Sequence, residues 1–510
     1  MVKKIFFIVR VFHVVILFCA IVLLSSCRSN ESTDNTGFTD GGTVTNSDGK
    51  ASSNIPAGVK SYPVNTRVMN SRLAHGITIR WQPVLGATSY NIYWSTTPDV
   101  KVSGNKITDV TSPYTHEDLI YGETYYYVVT AVKNNVEEEA SLETATLPGM
   151  DYISGGSEHV AVLKNDGTVW TWGLNTWGQL GDGTMTDSLT PVQVQGMTDV
   201  IAVAADRRMT MALKSDGTVW TWGENSYGVL VDESESRVER ASPRQVIGLT
   251  DVVAIATGWS AGMALKSDGT VWTWGENEYG TLGDGTIEDR YTPVQVIGLT
   301  EIVSISAKRS HVLALKSDGT IWAWGHNRHG QHGNDTATGD ANSPGPVPVQ
   351  VSDLKDQDVS IAAGYWHSMA MKGDGTVWTW GRNEASELCD GTSIDKSIPG
   401  KISGLPDVLS LMGGEGYTIF LKRDGTVWMC GNNSTGLLGI GESMASIMSA
   451  PEQVTDLSDV VAITSGRYFA VALKRDGTLW TWGYNNKGQL GDGTTDPRSA
   501  PVQVLMDPLF

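Results

Sequence analysis

Cysteine is scarce, with 4 residues in 510. Cys19 and Cys27 fall in the N-terminal leader region, and Cys389 and Cys430 bridge only if the fold brings their Cα atoms within about 7 Å. Basic charge is also in deficit. The 37 Lys and Arg against 56 Asp and Glu give a net charge of −19, and removal of Lys3, Lys4 and Arg10 with a cleaved leader leaves the rest near −22. Such a surface repels a phosphodiester backbone, so nucleic acid is excluded as the expected partner. No phosphate loop, cofactor fingerprint or carboxylate pair with an active-site context occurs, and no integrin-type Arg-Gly-Asp. A non-catalytic protein without cofactor is expected.

What the chain does contain is a repeat. Lys-x-Asp-Gly-Thr-aliphatic-Trp is written seven times, ending at Trp170, Trp220, Trp272, Trp322, Trp378, Trp428 and Trp480, with spacings of 50, 52, 50, 56, 50 and 52. From about residue 150 onward, one supersecondary unit therefore recurs. Within a unit, a run such as Val252 to Ala256 precedes an alternating Gly262 to Leu265, Asp268-Gly269 turns the chain, and Val271 to Trp274 returns. Asp-Gly between alternating runs marks a tight hairpin, because glycine supplies the positive φ without steric cost. A fourth strand begins at Pro191, Pro243, Pro293, Pro348, Pro399, Pro451 or Pro501; proline at the start of an outer strand costs no ladder donor. Four short strands per unit predict an all-β fold, a propeller of seven blades. The unit starting near Tyr152 is read as lacking its own outer strand, so Pro501 to Val504 is expected to complete it and close the ring.

Gly364-Tyr-Trp-His367-Ser368, Asp166-Gly-Thr-Val-Trp-Thr-Trp-Gly173 and Asn485-Asn-Lys-Gly-Gln-Leu-Gly491 carry a resemblance to the regulator of chromosome condensation repeat family. It spans residues 150–510, about 360 positions, and implies the propeller fold rather than one activity. By the same resemblance His159, His311 and His367 occupy the family's repeated loop histidine, a scaffold position.

The N-terminal region divides into three. Met1-Val-Lys-Lys4 and the apolar run to Leu24 read as a leader, and Leu24-Ser-Ser-Cys27 resembles a bacterial lipobox that would make Cys27 a lipid-attachment site after removal of residues 1–26. An uncleaved anchor is the alternative, since the run nearly reaches spanning length. Both place the remainder outside the cytoplasm, exported and held to the cell envelope, with Arg28 resembling an outer-membrane sorting signal. Residues 27–62, rich in Ser, Thr, Asn, Asp and Gly, are expected to be a disordered tether of roughly 30 Å. Residues 63–148 carry Ile77 to Trp81, Tyr90 to Trp94 and Tyr125 to Val132 as alternating strands, with Leu119, Gly122 and Tyr125 matching a tyrosine corner. The segment resembles a fibronectin type III β-sandwich, for which a spacer role is expected.

Strand alternation puts the loop after the first strand and the loop after Trp-x-Trp-Gly on one face of the propeller. The seven first loops align as Ser157/Glu158, Arg207/Arg208, Trp259/Ser260, Arg309/Ser310, Tyr365/Trp366, Glu415/Gly416 and Arg467/Tyr468. Four arginines and four large aromatics occupy these fourteen positions, and Arg, Trp and Tyr dominate binding hot spots. The second loops add Trp177, Tyr227, Tyr279 and His329. The blander reading is solvated loops whose aromatics pack on their neighbours. A binding face for a protein or an acidic glycan is expected, with arginines pairing carboxylates or phosphates and aromatics stacking on sugars. Resemblance supplies two alternatives, a propeller that inhibits a β-lactamase through aromatic plugs such as Trp259 and Trp366, and exchange-factor activity on a small GTPase.

Two patterns point elsewhere. Gly258-Trp-Ser260-Ala-Gly262 matches a nucleophile elbow, but that motif requires a strand-to-helix turn and acid–base partners. His326, His329 and His332 cluster within seven residues and are weak candidates for zinc, in a spacing that matches no closed site.

Overall fold

The computed structural model describes residues 153–509 apart from 227, 232–237, 338–343, 356–358 and 442–445, together with parts of 67–146. The leader, Cys27, the tether, Gly122 and Tyr227 lie outside the described residues. All regular elements among the described residues are strands.

Seven four-stranded antiparallel sheets follow one another along the repeat region, as a β-propeller requires. In the first, Ile153–Gly155, His159–Leu163, Val169–Gly173 and Ser188–Gln193 lie side by side in chain order; the last runs Val460–Ser465, Phe469–Lys474, Leu479–Gly483 and Arg498–Gln503. The expected closure by strand exchange is therefore incorrect. Pro191 belongs to a strand that pairs with its sequence neighbour, Thr171 facing Val192, while Pro501 stays in the last sheet, with Thr481 facing Val502. Pairing adjacent strands through a short connection is the local solution, and seven Trp strands with seven Pro strands leave none over. The first strand of each sheet contacts those of its two neighbours, and Val460–Ser465 contacts Ile153–Gly155. One core cluster accordingly joins Ile153, Trp172, Phe469 and Leu490.

The two tryptophans of each repeat do different work. The first is half-buried, with the repeat's lysine over its ring, as for Lys164 over Trp170 at 5.3 Å. In all but Trp378 its indole N–H donates to the turn threonine, whose hydroxyl donates to the turn aspartate (Trp170 to Thr168 at 3.2 Å, Thr168 to Asp166 at 2.6 Å). The second is fully buried at the junction with the preceding sheet, where its N–H donates to a loop carbonyl: Trp172 to Gln489, Trp222 to Gln179, Trp274 to Val229, Trp324 to Thr281 and Trp380 to Gln331, at 2.7–3.0 Å. A glycine opposes the indole because a Cβ at Gly181 would lie 2.6 Å from Trp222 Nε1.

At one junction both partners change together. Cys430 stands where the second tryptophan belongs and Cys389, at φ 58°, where the glycine belongs, and the two form a disulfide. The covalent bond occupies the space of the indole and links the same two sheets. The question that sequence spacing left open is answered by a Cα–Cα distance of 5.6 Å.

The loop histidines staple sheets from within. His159 Nε2 bonds Thr210 Oγ1 of the next sheet at 2.9 Å, and that hydroxyl donates back to Gln179 O. His311 with Ser368 and His367 with Thr418 repeat the relay. Since each hydroxyl proton is committed to a carbonyl, the imidazole is the neutral Nε2–H tautomer. Burial pushes all three pKa values down to about 3.

A separate pair of sheets lies within 67–146. One has three strands, Arg67–Asn70, Ile77–Arg80 and Tyr114–His116; the other has Asn105–Val110, Ser89–Ser95, Tyr125–Lys133 and Val136–Ala140 in spatial order, with Thr144–Thr146 also on Tyr125–Lys133. Ile79, Trp81, Ile92, Leu119, Tyr125 and Tyr127 share one core.

Two predictions follow from these staples. The three histidines stay neutral when folded but take up protons near pH 6.5 when unfolded, so their contribution is complete above that pH and is lost progressively as pH falls toward 3. Each can cost up to about 1.4 kcal/mol per pH unit in that window. The unfolding midpoint should fall between pH 7 and pH 4.5, and His159→Gln, which keeps a donor for Thr210, should flatten the fall; an unchanged midpoint across the range would contradict buried neutral imidazoles. Cys389→Ser should lower stability by about 2–4 kcal/mol in chemical denaturation. The double change Cys389→Gly with Cys430→Trp should recover most of it by restoring the junction found elsewhere.

Candidate functional site

The first loops converge on one face. In five sheets the residue ending the first strand's approach to the loop is glycine: Gly156, Gly258, Gly364, Gly414 and Gly466. In the other two it is Asp206 and Lys308, and there the strand pairing continues up to the two-residue turn, Asp206 pairing Met209 and Lys308 pairing His311. In these two turns Arg207 takes φ 33° and Arg309 φ 54°, a region costly for a side chain with Cβ. Such strain persists only where surroundings over-determine it.

Asp206 supplies that constraint. It is fully buried; its Oδ1 accepts from Arg207 N at 2.8 Å and its Oδ2 from Arg309 N at 3.1 Å, across two sheets. Lys308 Nζ donates to the carbonyls of Gly155 at 2.9 Å and Ser465 at 3.1 Å, in the first and last sheets. Burial pushes the Lys308 pKa down while the Asp206 charge opposes the shift. Tyr365 and Ser157 share a hydroxyl–hydroxyl bond at 3.1 Å. These bonds fasten loops from distant sheets to one another.

Around them the arginines and aromatics interleave. The Arg309 guanidinium carbon lies 3.5 Å from the Trp366 ring centre and 4.2 Å from that of Trp259, and Trp259 also receives Arg207 at 4.8 Å. His326 and His329 abut Trp366 edge-on, and Tyr279 abuts His326. Arg208 stacks over Trp177 at 4.4 Å and Arg467 over Tyr468 at 4.9 Å. Carboxylates complete the array: Glu224 lies 3.7 Å from Arg207 and 3.6 Å from Arg208, Glu415 bonds Arg467, and Arg382 pairs Glu384 at 2.7 Å.

Of the residues singled out by sequence, Arg207, Arg208, Trp259, Arg309, Trp366, Arg467, Tyr468, Trp177 and Tyr279 are all partly exposed. Tyr365 is not: at 1% exposure it faces inward to Ser157 and acts as a strut. The aromatics do pack on their neighbours, but the neighbours are the site's own arginines. Sequence reading missed Asp206 and Lys308, although their departure from glycine at an aligned position was a visible signal. It also missed the acids Glu224, Glu384 and Glu415.

The histidines near 326–332 diverge. His329 Nδ1 meets Asp395 at 2.7 Å, His332 Nε2 meets Gly325 O at 3.1 Å, and His326 Nδ1 meets Gln331 Nε2 at 3.3 Å. Among the described residues no group of three or more ligating side chains could hold a metal ion. Ser260 accepts a bond from Arg207 at 2.8 Å and sits in a hairpin loop, the wrong setting for an elbow nucleophile.

Comparison with known proteins agrees with the fold. The RCC1-like domain profile matches residues 197–509, and regulator of chromosome condensation (RCC1) repeat profiles match 166–213 and 151–179. The human E3 ubiquitin-protein ligase HERC2 is 28% identical over 371 residues, 71% of this chain, which spans only 6% of that protein's length. The ultraviolet-B receptor UVR8 of Arabidopsis thaliana is 28% identical over 68% of this chain and 80% of its own. Among solved structures, Prp20p of Saccharomyces cerevisiae aligns with a TM-score of 0.60 at 21% identity, covering 70% of this chain and 88% of its own, a likeness of fold. With a profile spanning more than half its length and the repeat geometry above, the chain belongs to the RCC1-like domain family.

Proposed function

We propose that this chain is an exported, lipid-anchored protein whose propeller binds protein partners through the arginine and aromatic face and catalyses no reaction. The observation that carries this reading is the array itself: partly exposed Arg and Trp side chains on a rigid set of cross-linked loops, in a chain of net charge −19. Hot spots favour these residue types, and a stiff scaffold lowers the ordering cost of binding. A protein partner is favoured over a glycan because Trp259 and Trp366 already stack on arginines, whereas sugar stacking needs an open ring face.

The same reading takes the seven sheets as seven blades in a closed ring, supported by the contact of the last first-strand with Ile153–Gly155. It takes residues 63–148 as a fibronectin-like spacer on a tether from Cys27. A disulfide inside the propeller supports an oxidising compartment, since cytosolic thiols are kept reduced. Relatives named for ubiquitin ligation and ultraviolet-B reception, and a Prp20p structure titled for binding to Gsp1p and histones, differ in activity while sharing repeats or fold. That diversity favours a binding platform as the common element.

Two experiments test this. Envelope and culture-medium proteins captured by the intact chain should be lost on changing Arg207, Trp259, Trp366 and Arg467 to Ala, in a variant whose circular dichroism stays native; equal capture would move recognition to another surface. Cys27→Ser should abolish incorporation of labelled fatty acid and shift the protein from the membrane to the soluble fraction, and unaltered partition would remove the lipid anchor from the reading.

A further inference from the structure

The site's arginines are not equivalent. Arg207 and Arg208 share Glu224, Arg467 holds Glu415 and Arg382 holds Glu384, so four guanidiniums have an internal carboxylate. Arg309 has none: its guanidinium lies over the Trp366 and Trp259 rings, and among the described residues no carboxylate pairs with it. Glu415, whose charge reaches Arg309, is committed to Arg467.

We propose that Arg309 is a pre-organised receptor for a single carboxylate, presented by an acidic segment of a protein partner. This deepens the protein-binding reading above and rests on it. Stacking covers the faces of a guanidinium and leaves its in-plane N–H donors at the edge, the geometry that receives a carboxylate in two parallel hydrogen bonds. The backbone below it is held on both sides, Arg309 N by Asp206 at 3.1 Å and Arg309 O by Trp259 N at 2.7 Å, in a left-handed conformation with φ 54°. Little freedom remains to be lost when a ligand docks. Burial independently pushes the Arg309 pKa down to about 10, the mark of a half-buried cation short of compensating charge. A carboxylate fits better than a phosphate, because Glu415 and Glu224 beside the array penalise a second negative charge on the ligand.

The test uses the full-length protein labelled with 15N-arginine, in which the Arg309 side-chain Nε–H signal is identified by its disappearance in Arg309→Lys. Titration with a triglutamate peptide should shift that signal saturably, while inorganic phosphate at matched ionic strength should not. Arg309→Lys, which keeps the charge but loses the fork, should weaken peptide binding by about tenfold, and Arg423→Lys, at a hairpin turn on the opposite side, should leave it unchanged. The proposal is overturned if the Arg309 signal does not respond to triglutamate, if Arg309→Lys binds as well as wild type, or if phosphate is preferred. Should Arg309→Lys lower the unfolding midpoint, the saturable shift in the wild-type protein, set against an unshifted Arg423 signal, decides instead. Protein capture through the face that persists in Arg309→Lys would sink this inference while leaving the broader reading intact.

Discussion

The indole N–H that crosses from one sheet to the loop carbonyl of the sheet before it is the contact on which the rest of the propeller depends. A lone four-stranded sheet has two faces to cover, and the second tryptophan of each repeat covers one while spending its donor on the neighbour. That bond requires the carbonyl to be presented at a fixed place, which explains the glycine beneath the ring and the repeated Asn above it: Asn175 Oδ1 accepts from Leu180 N at 2.9 Å and its amide bonds Asp182 and Thr184, holding the loop in shape. The His–Thr relays reach the same carbonyl row, Gln179 O receiving both Trp222 and Thr210. Where Trp and Gly are both lost, a disulfide appears in their place. At Trp482 the indole is buried against Gly439 and its N–H makes no bond, so that side chain contributes packing alone, while Tyr417 Oη donates to Gly466 O at 3.0 Å across the same junction. The constraint is on the junction, and three different chemistries satisfy it.

A junction held this firmly frees the first loops to differ. Two of the seven replace the glycine before the turn by Asp206 and Lys308, and those same two turns carry the left-handed Arg207 and Arg309. The Asp206 and Lys308 side chains reach between sheets, to Arg309 N from one and to Gly155 O and Ser465 O from the other. Removing Asp206 would strand two backbone donors and relax both strained turns at once, so one carboxylate positions two of the site's arginines. Lys308 ties the fourth sheet to the first and the last, and its partners are carbonyls rather than a carboxylate. The cost of burying its charge is thus offset by two charge-assisted hydrogen bonds and by the field of Asp206.

How much of this was legible beforehand varied with the kind of information. Repetition is a one-dimensional property, and the seven Trp and seven Pro positions marked the third and fourth strand of each unit. The outer strand does not begin at its proline as expected: it starts at Ser188 ahead of Pro191 and at Arg498 ahead of Pro501, because the proline N faces the open edge and costs no ladder donor within the strand either. Closure is relational: Pro501 to Val504 is the same outer strand as the other six, and reading the first unit as lacking one was a phase error in the repeat, corrected once Thr171 is seen opposite Val192. Alignment of the loops found the face and most of its members, because strand alternation dictates which ends point together. It could not see that Tyr365 turns inward while Trp366 turns outward, since both are aromatic neighbours in one loop and only the hydroxyl bond to Ser157 separates their roles. The pairing of Cys389 with Cys430, and the stacking order Arg207, Trp259, Arg309, Trp366, required three dimensions for the same reason.

The composition of the face also bears on why its cations are arginines. In a chain of net charge −19, lysines on the opposite, hairpin side sit over the first tryptophan of their own repeat, as Lys266 does over Trp272 at 5.4 Å, with a turn aspartate close by. Those positions repeat with little variation and neutralise locally. The loop face instead uses planar guanidiniums, which stack between rings and still present donors at their edges, something an ammonium cannot do. Stacking by Arg309 on two indoles removes apolar surface from water without consuming a single N–H, so it adds to the stability of the array and leaves recognition capacity intact. An array built this way holds together through its own contacts, and Arg309 is the one of its guanidiniums that, among the described residues, has no acid of its own.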